Sequence, residues 1–447
     1  MVNLQAATRE ELLAYIAQQE QRIGTQQETI TRLEARIHEL EQRLGSSGPR
    51  GMPGTKPTQA APTAGKKVRK RRPHGFARVR ATPTAVVEHA IEQCPTCGIR
   101  LLGGSVKRRR EVIEVEPVPA TVTEHRYLER CCPGCGKRWV PKVALEGTVL
   151  GQQRLGVGLV SLIATLRADG RLPLRTIQRY LATVHQLHLS LGGLTAVLHR
   201  VAEQGEAEVK QIQAQVQTSP AVHADETGWR EDGRNRYVWT FSTPTERYFV
   251  CGSRAKGMVD EVLGEGFDGV LVTDFYAAYN HYAGLHQRCW AHLLREIHEL
   301  KELYPADRRL ERWAAHVHQR YRAAVSFQRP REQERLRAKG RFEQQLLADC
   351  RPFLTDEAAP QRRLCRRIER FLAELFVFVT HPEVPPDNNA AERSLRHLVM
   401  ARKISGGTRS GAGTTTRMAL ATLFGTWRAR NLNPLTACRD LLLSPQV

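Results

Sequence analysis

Two short apolar runs in this chain end in aspartate: Ala221-Val222-His223-Ala224-Asp225 and Gly269-Val270-Leu271-Val272-Thr273-Asp274. Such runs read as buried strands, and a polar residue at the end of one is delivered to the rim of a sheet. A third acid lies in Asp387-Asn388-Asn389-Ala390-Ala391-Glu392-Arg393-Ser394-Leu395-Arg396, where Asp or Asn caps a helix and Glu392 falls in its early turns. Carboxylates from two strand ends and one helix suit hard cations, Mg2+ or Mn2+, better than zinc. Two such ions can activate an oxygen nucleophile and stabilise the leaving oxygen of a phosphodiester. The expectation is a phosphoryl-transfer site at Asp225, Asp274 and Glu392, with Arg393, Arg396, Arg402 and Lys403 placing cations near the scissile phosphate.

The elements between these acids must bring them together. Beyond Asp225, the β-rich runs Tyr237 to Ser242 and Arg247 to Gly252, joined by Thr243-Pro244, complete a three-stranded antiparallel meander. A helical stretch leads to the strand ending at Asp274, 49 residues after Asp225. That order is what a ribonuclease H-like core presents. Leu285 to Cys289 reads as a further strand entering a helix, and the charged helical residues from about 305 to 380 read as an insertion into a catalytic domain spanning 219–403. A helical domain (150–215) precedes it and a helical region (404–447) follows. In 150–215 the stretches Leu174 to Leu181 and Leu194 to Val201 mimic a helix-turn-helix but read as packing surfaces. Glu226 should face away from Asp225 and is assigned no metal. His223 reads as structural, Trp229 and Trp290 as core aromatics, and Cys289 with His292 as a packing and orienting element.

A second constellation is cysteine. Cys94-Pro95-Thr96-Cys97-Gly98 and Cys132-Pro133-Gly134-Cys135-Gly136 are two copies of one knuckle, together offering four thiolates to a closed, structural Zn2+ site. The 34 residues between them include the strand-like stretches Glu111 to Glu116 and Ala120 to Glu129, so residues 84–145 are expected to form a zinc ribbon. Arg108, Arg109 and Arg110 put cations on it for DNA. Ahead of it, residues 45–83 are rich in Gly, Pro, Ala and Thr and read as a flexible linker carrying Lys66, Lys67, Arg69, Lys70, Arg71 and Arg72. Residues 1–44 show heptads: Ile16, Ile23, Ile30, Ile37 and Leu44 on one seam, Leu12, Leu33 and Leu40 on the other. Ile and Leu on alternate seams favour a parallel two-stranded coiled coil, hence a homodimer or larger oligomer, although Gln19 and Gln26 weaken one seam.

The 447 residues hold 67 Lys and Arg against 46 Asp and Glu, a net charge of +21. Residues 46–110 carry 15 Lys or Arg and two acids, so most of the excess lies in one arm, as phosphate binding by a segment requires. No secretory signal is visible, and the longest apolar stretch, Leu155 to Leu166, is too short to span a membrane. The expectation is a cytoplasmic protein, nucleoid-associated when bound to DNA, and the ten cysteines need no disulfides there. Two other readings are a zinc-containing DNA-binding regulator with a decayed core, disfavoured by three intact acids, and a nuclease of the same fold without strand transfer.

Taken together the chain resembles transposases of the insertion-sequence-66 family almost from end to end. The resemblance rests on the coiled N-terminus, the basic linker, the paired Cys-Pro-x-Cys-Gly knuckles and Asp225-Glu226-Thr227-Gly228-Trp229. It continues through Asp274 with Tyr276-Ala277-Ala278-Tyr279, Cys289-Trp290-Ala291-His292, Asn388-Asn389, Glu392-Arg393-Ser394-Leu395-Arg396 and Arg402-Lys403. It implies a multidomain α/β protein with a DDE catalytic core, cutting and joining double-stranded DNA at an element's terminal inverted repeats with accessory proteins of that element. It also assigns the triad to Asp225, Asp274 and Glu392. Phe275 departs from the small residue usual after the second aspartate, and Ser46-Ser47-Gly48-Pro49 matches the family's Ser/Pro-rich linker only loosely.

Overall fold

The computed structural model describes residues 82–444 except 111, 114, 116, 117, 143, 144, 146, 151, 152, 265, 329 and 330, together with 8, 9, 13, 15, 17, 19–21, 23, 24 and 26. The chain divides into two units, residues 1–113 and 114–447. In the first, the described positions from 9 to 26 are helical. Most of the heptad seam and all of Lys66 to Arg72 lie outside the described residues. The first cysteine knuckle closes on itself: the Cys94 amide donates to the Ile99 carbonyl (2.9 Å) and the Gly98 amide returns to Cys94 (2.8 Å). Gly98 adopts φ +74°, which only glycine takes without strain.

In the second unit the other knuckle repeats this geometry, Cys132 to Lys137 and Gly136 to Cys132, with Gly136 at φ +67°. It is flanked by a two-residue hairpin, β1 (Arg130–Cys131) against antiparallel β2 (Arg138–Trp139). The longer strands expected over 111–116 and 120–129 are not formed at any described residue there. Val112 and Val122 are strongly exposed, and Ala120 donates its amide to the His185 carbonyl (2.9 Å) at a helix end, not to a strand.

Four helices follow: α1 (Val157–Ala168), α2 (Leu174–His185), α3 (Leu191–Gln204) and α4 (Glu206–Gln217). Ile177, Leu181, Leu194 and Val201 are fully buried in one cluster, so the helix-turn-helix look-alike serves packing. Next comes a mixed five-stranded sheet. Its strands are β3 (Ala221–Glu231), β4 (Arg234–Ser242), β5 (Arg247–Gly252), β6 (Val270–Thr273) and β7 (His286–Arg288), in the order β5-β4-β3-β6-β7. The first three are antiparallel neighbours, whereas β3, β6 and β7 run parallel. Asp232 and Gly233, both at positive φ, make the two-residue turn between β3 and β4 that matches strand twist. Helix α5 (Gly257–Leu263) precedes β6.

After β7 the chain becomes helical: α6 (Trp290–Leu303), α7 (Arg308–Val325), α8 (Glu332–Cys350), α9 (Arg362–Arg370), α10 (Leu372–Leu375) and α11 (Val377–Thr380). It closes with α12 (Asn389–Ser405), α13 (Gly411–Ala429) and α14 (Pro434–Leu443). Alternation along the strands sorts the sheet's faces. Ala221, Val270 and Val272 join a cluster with α6 to α11, while Val222, Ala224 and Leu271 join one with α5. The first cluster is keyed by aromatics, with Phe376 against Trp290 (centroids 5.3 Å) and Phe342 (5.8 Å). Among the described residues no helix is long and apolar enough to cross a membrane.

Candidate active site

The parallel ladder between β3 and β6 runs only from Ala221↔Val270 to His223↔Val272. Beyond it the strands part, and the gap at their carboxyl ends is where a parallel sheet exposes functional groups. Asp225 extends from the β3 side and Asp274 from the β6 side. Both continue the odd–even phase of Ala221 and Val272, so both face the helical cluster, while Glu226 takes the other face with Tyr279 and Arg254. The Asp274 carboxylate accepts from the Tyr276 amide (2.8 Å), and Arg288 donates to the Asp274 carbonyl (2.9 Å), to Asn280 (2.7 Å) and to Glu374 (2.6 Å). Arg288 therefore fixes the turn that carries Asp274.

Glu392 arrives in the first turn of α12, where the helix dipole favours negative charge. Asn388, 1% exposed, sets its position. Its side-chain amide donates to the Ala224 carbonyl (2.7 Å), which β6 no longer reaches; its side-chain oxygen meets His223 Nδ1 (3.1 Å); its backbone amide donates to Cys289 Sγ (3.1 Å). One residue thus ties the helix start to β3 beside Asp225 and to the turn before α6. At the far end of α12, Arg402 donates to Thr227 Oγ1 (3.1 Å) and to the Gly228 carbonyl, so it serves as a clamp on β3 rather than as a free cation. His292 Nε2 lies 3.6 Å from Glu392 Oε1.

Electrostatics couple the three acids. Burial, then the charges of Glu226, Asp274 and Glu392, push the Asp225 carboxyl up to about 8. Burial also raises Glu226, although Tyr279 Oη (2.8 Å) and Arg254 (3.0 Å) bind it. Among the described residues no three His, Cys, Asp or Glu side chains are gathered tightly enough to cage a metal ion by themselves. Yet Glu392 Oε1 and His292 Nδ1 are buried without a hydrogen-bond partner. A crowded set of carboxylates with an unsatisfied oxygen is suited to a divalent cation, and Mg2+ commonly takes only one or two protein carboxylates, completing its shell with water and substrate phosphate.

The other expected residues lie elsewhere. Arg396 and Lys403 are exposed on α12, and Arg108, Arg109 and Arg110 are exposed in the first unit. Trp229 and Trp290 are 3% and 0% exposed and donate from Nε1 to Thr408 Oγ1 and the Leu375 carbonyl, so neither is open to a base. In the knuckles, backbone amides of Thr96 and then Cys97 lower the Cys94 thiol, and those of Cys135 and then Gly134 lower Cys132, favouring thiolate in each. Sequence reasoning missed the Asn388 bridge and gave His292 no tie to Glu392; the Cys-x2-His spacing was the only local signal.

Residues 152–416 match the family described as "Transposase IS66 family". A 30% identical stretch of 167 residues, 37% of this chain, aligns with the uncharacterized protein y4jO of Sinorhizobium fredii, and the match covers half of that relative's length. With more than half of its residues inside the family's transposase domain, the chain belongs to the IS66 family of transposases.

Proposed function

We propose that this protein is a DDE transposase that cuts and joins DNA at the terminal inverted repeats of its element, with Asp225, Asp274 and Glu392 holding Mg2+ or Mn2+ in a ribonuclease H-like core. The observation that carries the reading is the convergence of three acids from β3, β6 and α12, where burial, then the charges of Glu226, Asp274 and Glu392, raise Asp225 to about 8. The mixed sheet with three parallel strands, and a helix start facing their carboxyl ends, supports the core assignment. Bound cations would supply activation of the attacking oxygen and stabilisation of the leaving one. The chain's own contribution is positional. Arg288 holds the Asp274 turn, Asn388 holds Glu392 beside Asp225, and His292 limits the freedom of the Glu392 carboxylate.

Double-stranded DNA is the substrate of this reading, at the repeats and at the target. The basic linker and Arg108 to Arg110 supply phosphate contacts, and the N-terminal heptads supply dimerisation. The four knuckle cysteines supply a structural zinc site, a reading supported by the doubled motif and by the amides that favour thiolate in each turn. The test is purified protein with Mg2+ on DNA carrying the element's ends. Nicking and joining are expected, with Asp225→Asn, Asp274→Asn and Glu392→Gln each lowering the rate by roughly a thousandfold or more. Full activity in any of the three removes the assignment, and cleavage without joining favours a nuclease of the same fold.

A further inference from the structure

The two flanks of α12 face different surroundings. Glu392 and the site above occupy one. On the other, Ala390, Arg393, Ser394 and His397 help line a cleft of about 380 Å³ between α12, α13, β5 and the loop after α1. Four arginines reach this cleft, Arg171, Arg247, Arg393 and Arg428, against one acid, Asp169. That acid is already taken, because Arg428 grips both of its oxygens through Nε and Nη2. Among the described residues neither Arg171 nor Arg393 is paired with a carboxylate, and Arg247 finds only the carbonyls of Thr243 and Glu246.

A buried arginine beside the cleft, close enough for its charge to act on His397, adds a further sign. Arg417 lies on the stripe of α13 that continues through Ala421, Phe424 and Arg428, all three of them lining residues. It is 6% exposed, and its Nε and Nη2 have no hydrogen-bond partner; Nη1 alone reaches a carbonyl, that of Arg167, at 3.4 Å. Burial, then Arg167, pulls this guanidinium down to about 9. Burial, then Arg417, pulls the neighbouring His397 down to about 4, so that ring stays uncharged beside it. A buried guanidinium without a counter-charge is costly unless something satisfies its N–H groups. The cleft therefore gathers donors and positive charge in excess of anything the chain itself offers them.

We propose that this cleft binds a backbone phosphate of the DNA strand being processed. A phosphodiester has the charge and acceptor oxygens that arginine forks match. The location favours DNA over a free anion. Arg247 and Arg393 stand close enough for their charge to act on His223, which lies on the same face of β3 as Asp225 and two residues before it. Ala390 and Arg393 of the cleft flank Glu392 in the first turns of α12. A strand lying over the start of α12 would place one phosphate in the cleft and another at the carboxylates, so the cleft would set which bond is presented. This inference rests on the DNA-processing reading but is tested without catalysis.

The experiment measures binding of the full chain to a labelled duplex in EDTA over a series of salt concentrations, for the natural protein and for Arg171→Gln/Arg393→Gln. Loss of one phosphate contact is expected to reduce the slope of log K against log salt by about one and to weaken binding roughly tenfold at physiological salt. An unchanged slope and affinity in a variant that melts like the natural protein overturns the proposal. Should the double variant melt early, Arg171→Gln alone, in an exposed loop, carries the same criterion. A parallel melting series with inorganic phosphate separates the sources. Stabilisation by phosphate equal to that by duplex, with no change in slope, means a free-anion site and likewise overturns it. Because no cutting is read, failure here leaves the carboxylate assignment untouched, and loss of cutting in Asp225→Asn leaves the cleft untouched.

Discussion

Asp225 carries the sharpest consequence of the site's electrostatics. An ordinary aspartate titrates near 4, whereas burial and neighbouring acids hold this one at about 8. Between those values the folded protein keeps a proton that the unfolded chain releases, so in metal-free buffer stability falls as pH rises from about 4 to about 8. Removing the titrating group should abolish this dependence. Asp225→Asn is expected to melt higher than the natural protein at pH 8 and by much less at pH 5, with the gap bounded by about 5 kcal/mol for a shift of this size. Added Mg2+ should raise the melting temperature of the natural protein and much less that of the variant. Parallel melting curves across that pH range would refute the coupling. Asp225 and Asp274 were legible because each closes an apolar run. Asn388 was not, since its value lies in reaching a carbonyl 164 positions earlier in the chain.

The sheet and α12 act as a frame for those side chains. Asn388 satisfies the carbonyl left open where β6 ends, and replacing it by Ala strands buried groups on Ala224 and His223. The expected cost is about 1–3 kcal/mol, with cleavage falling further than stability accounts for, because Glu392 loses its anchor. Calorimetry and a cleavage assay on Asn388→Ala check this; a stable variant with undiminished cleavage would show that α12 is held by other contacts. Phe376 belongs to the same frame, in the helical cluster that the acids' face of the sheet meets, packed on Trp290 and Phe342. Phe376→Ala should cost about 3–5 kcal/mol in denaturant titration. At this scale the meander could be read from its β-rich runs and the strand before Asp274 from a short continuous apolar run. The stretches 111–116 and 120–129 could not, because alternation marks a strand only when another strand is there to receive it.

Across the whole chain, the proposed reading divides chemistry and DNA attachment among segments with different demands. The arm that holds most of the excess charge precedes a unit in which Asp225, Asp274 and Glu392 are half-buried and the charges of the other two act on Asp225. If the knuckles hold zinc, Cys94→Ser/Cys97→Ser should lower zinc from one per chain to none and weaken DNA binding while leaving the carboxylates intact; unchanged metal content would end that reading. The family match from 152 to 416 covers the sheet and α12 and stops short of the knuckles, so zinc rests on the cysteine motif and its local geometry. The helical run between α6 and α12 has a further effect, on timing. Glu392 follows Asp274 by 118 residues, roughly 6–24 s of synthesis at ordinary rates. If Asp225, Asp274 and Glu392 form the site, a nascent or prematurely ended chain lacks the third acid until the helices that cover one face of the sheet have been made, so any cutting waits for them.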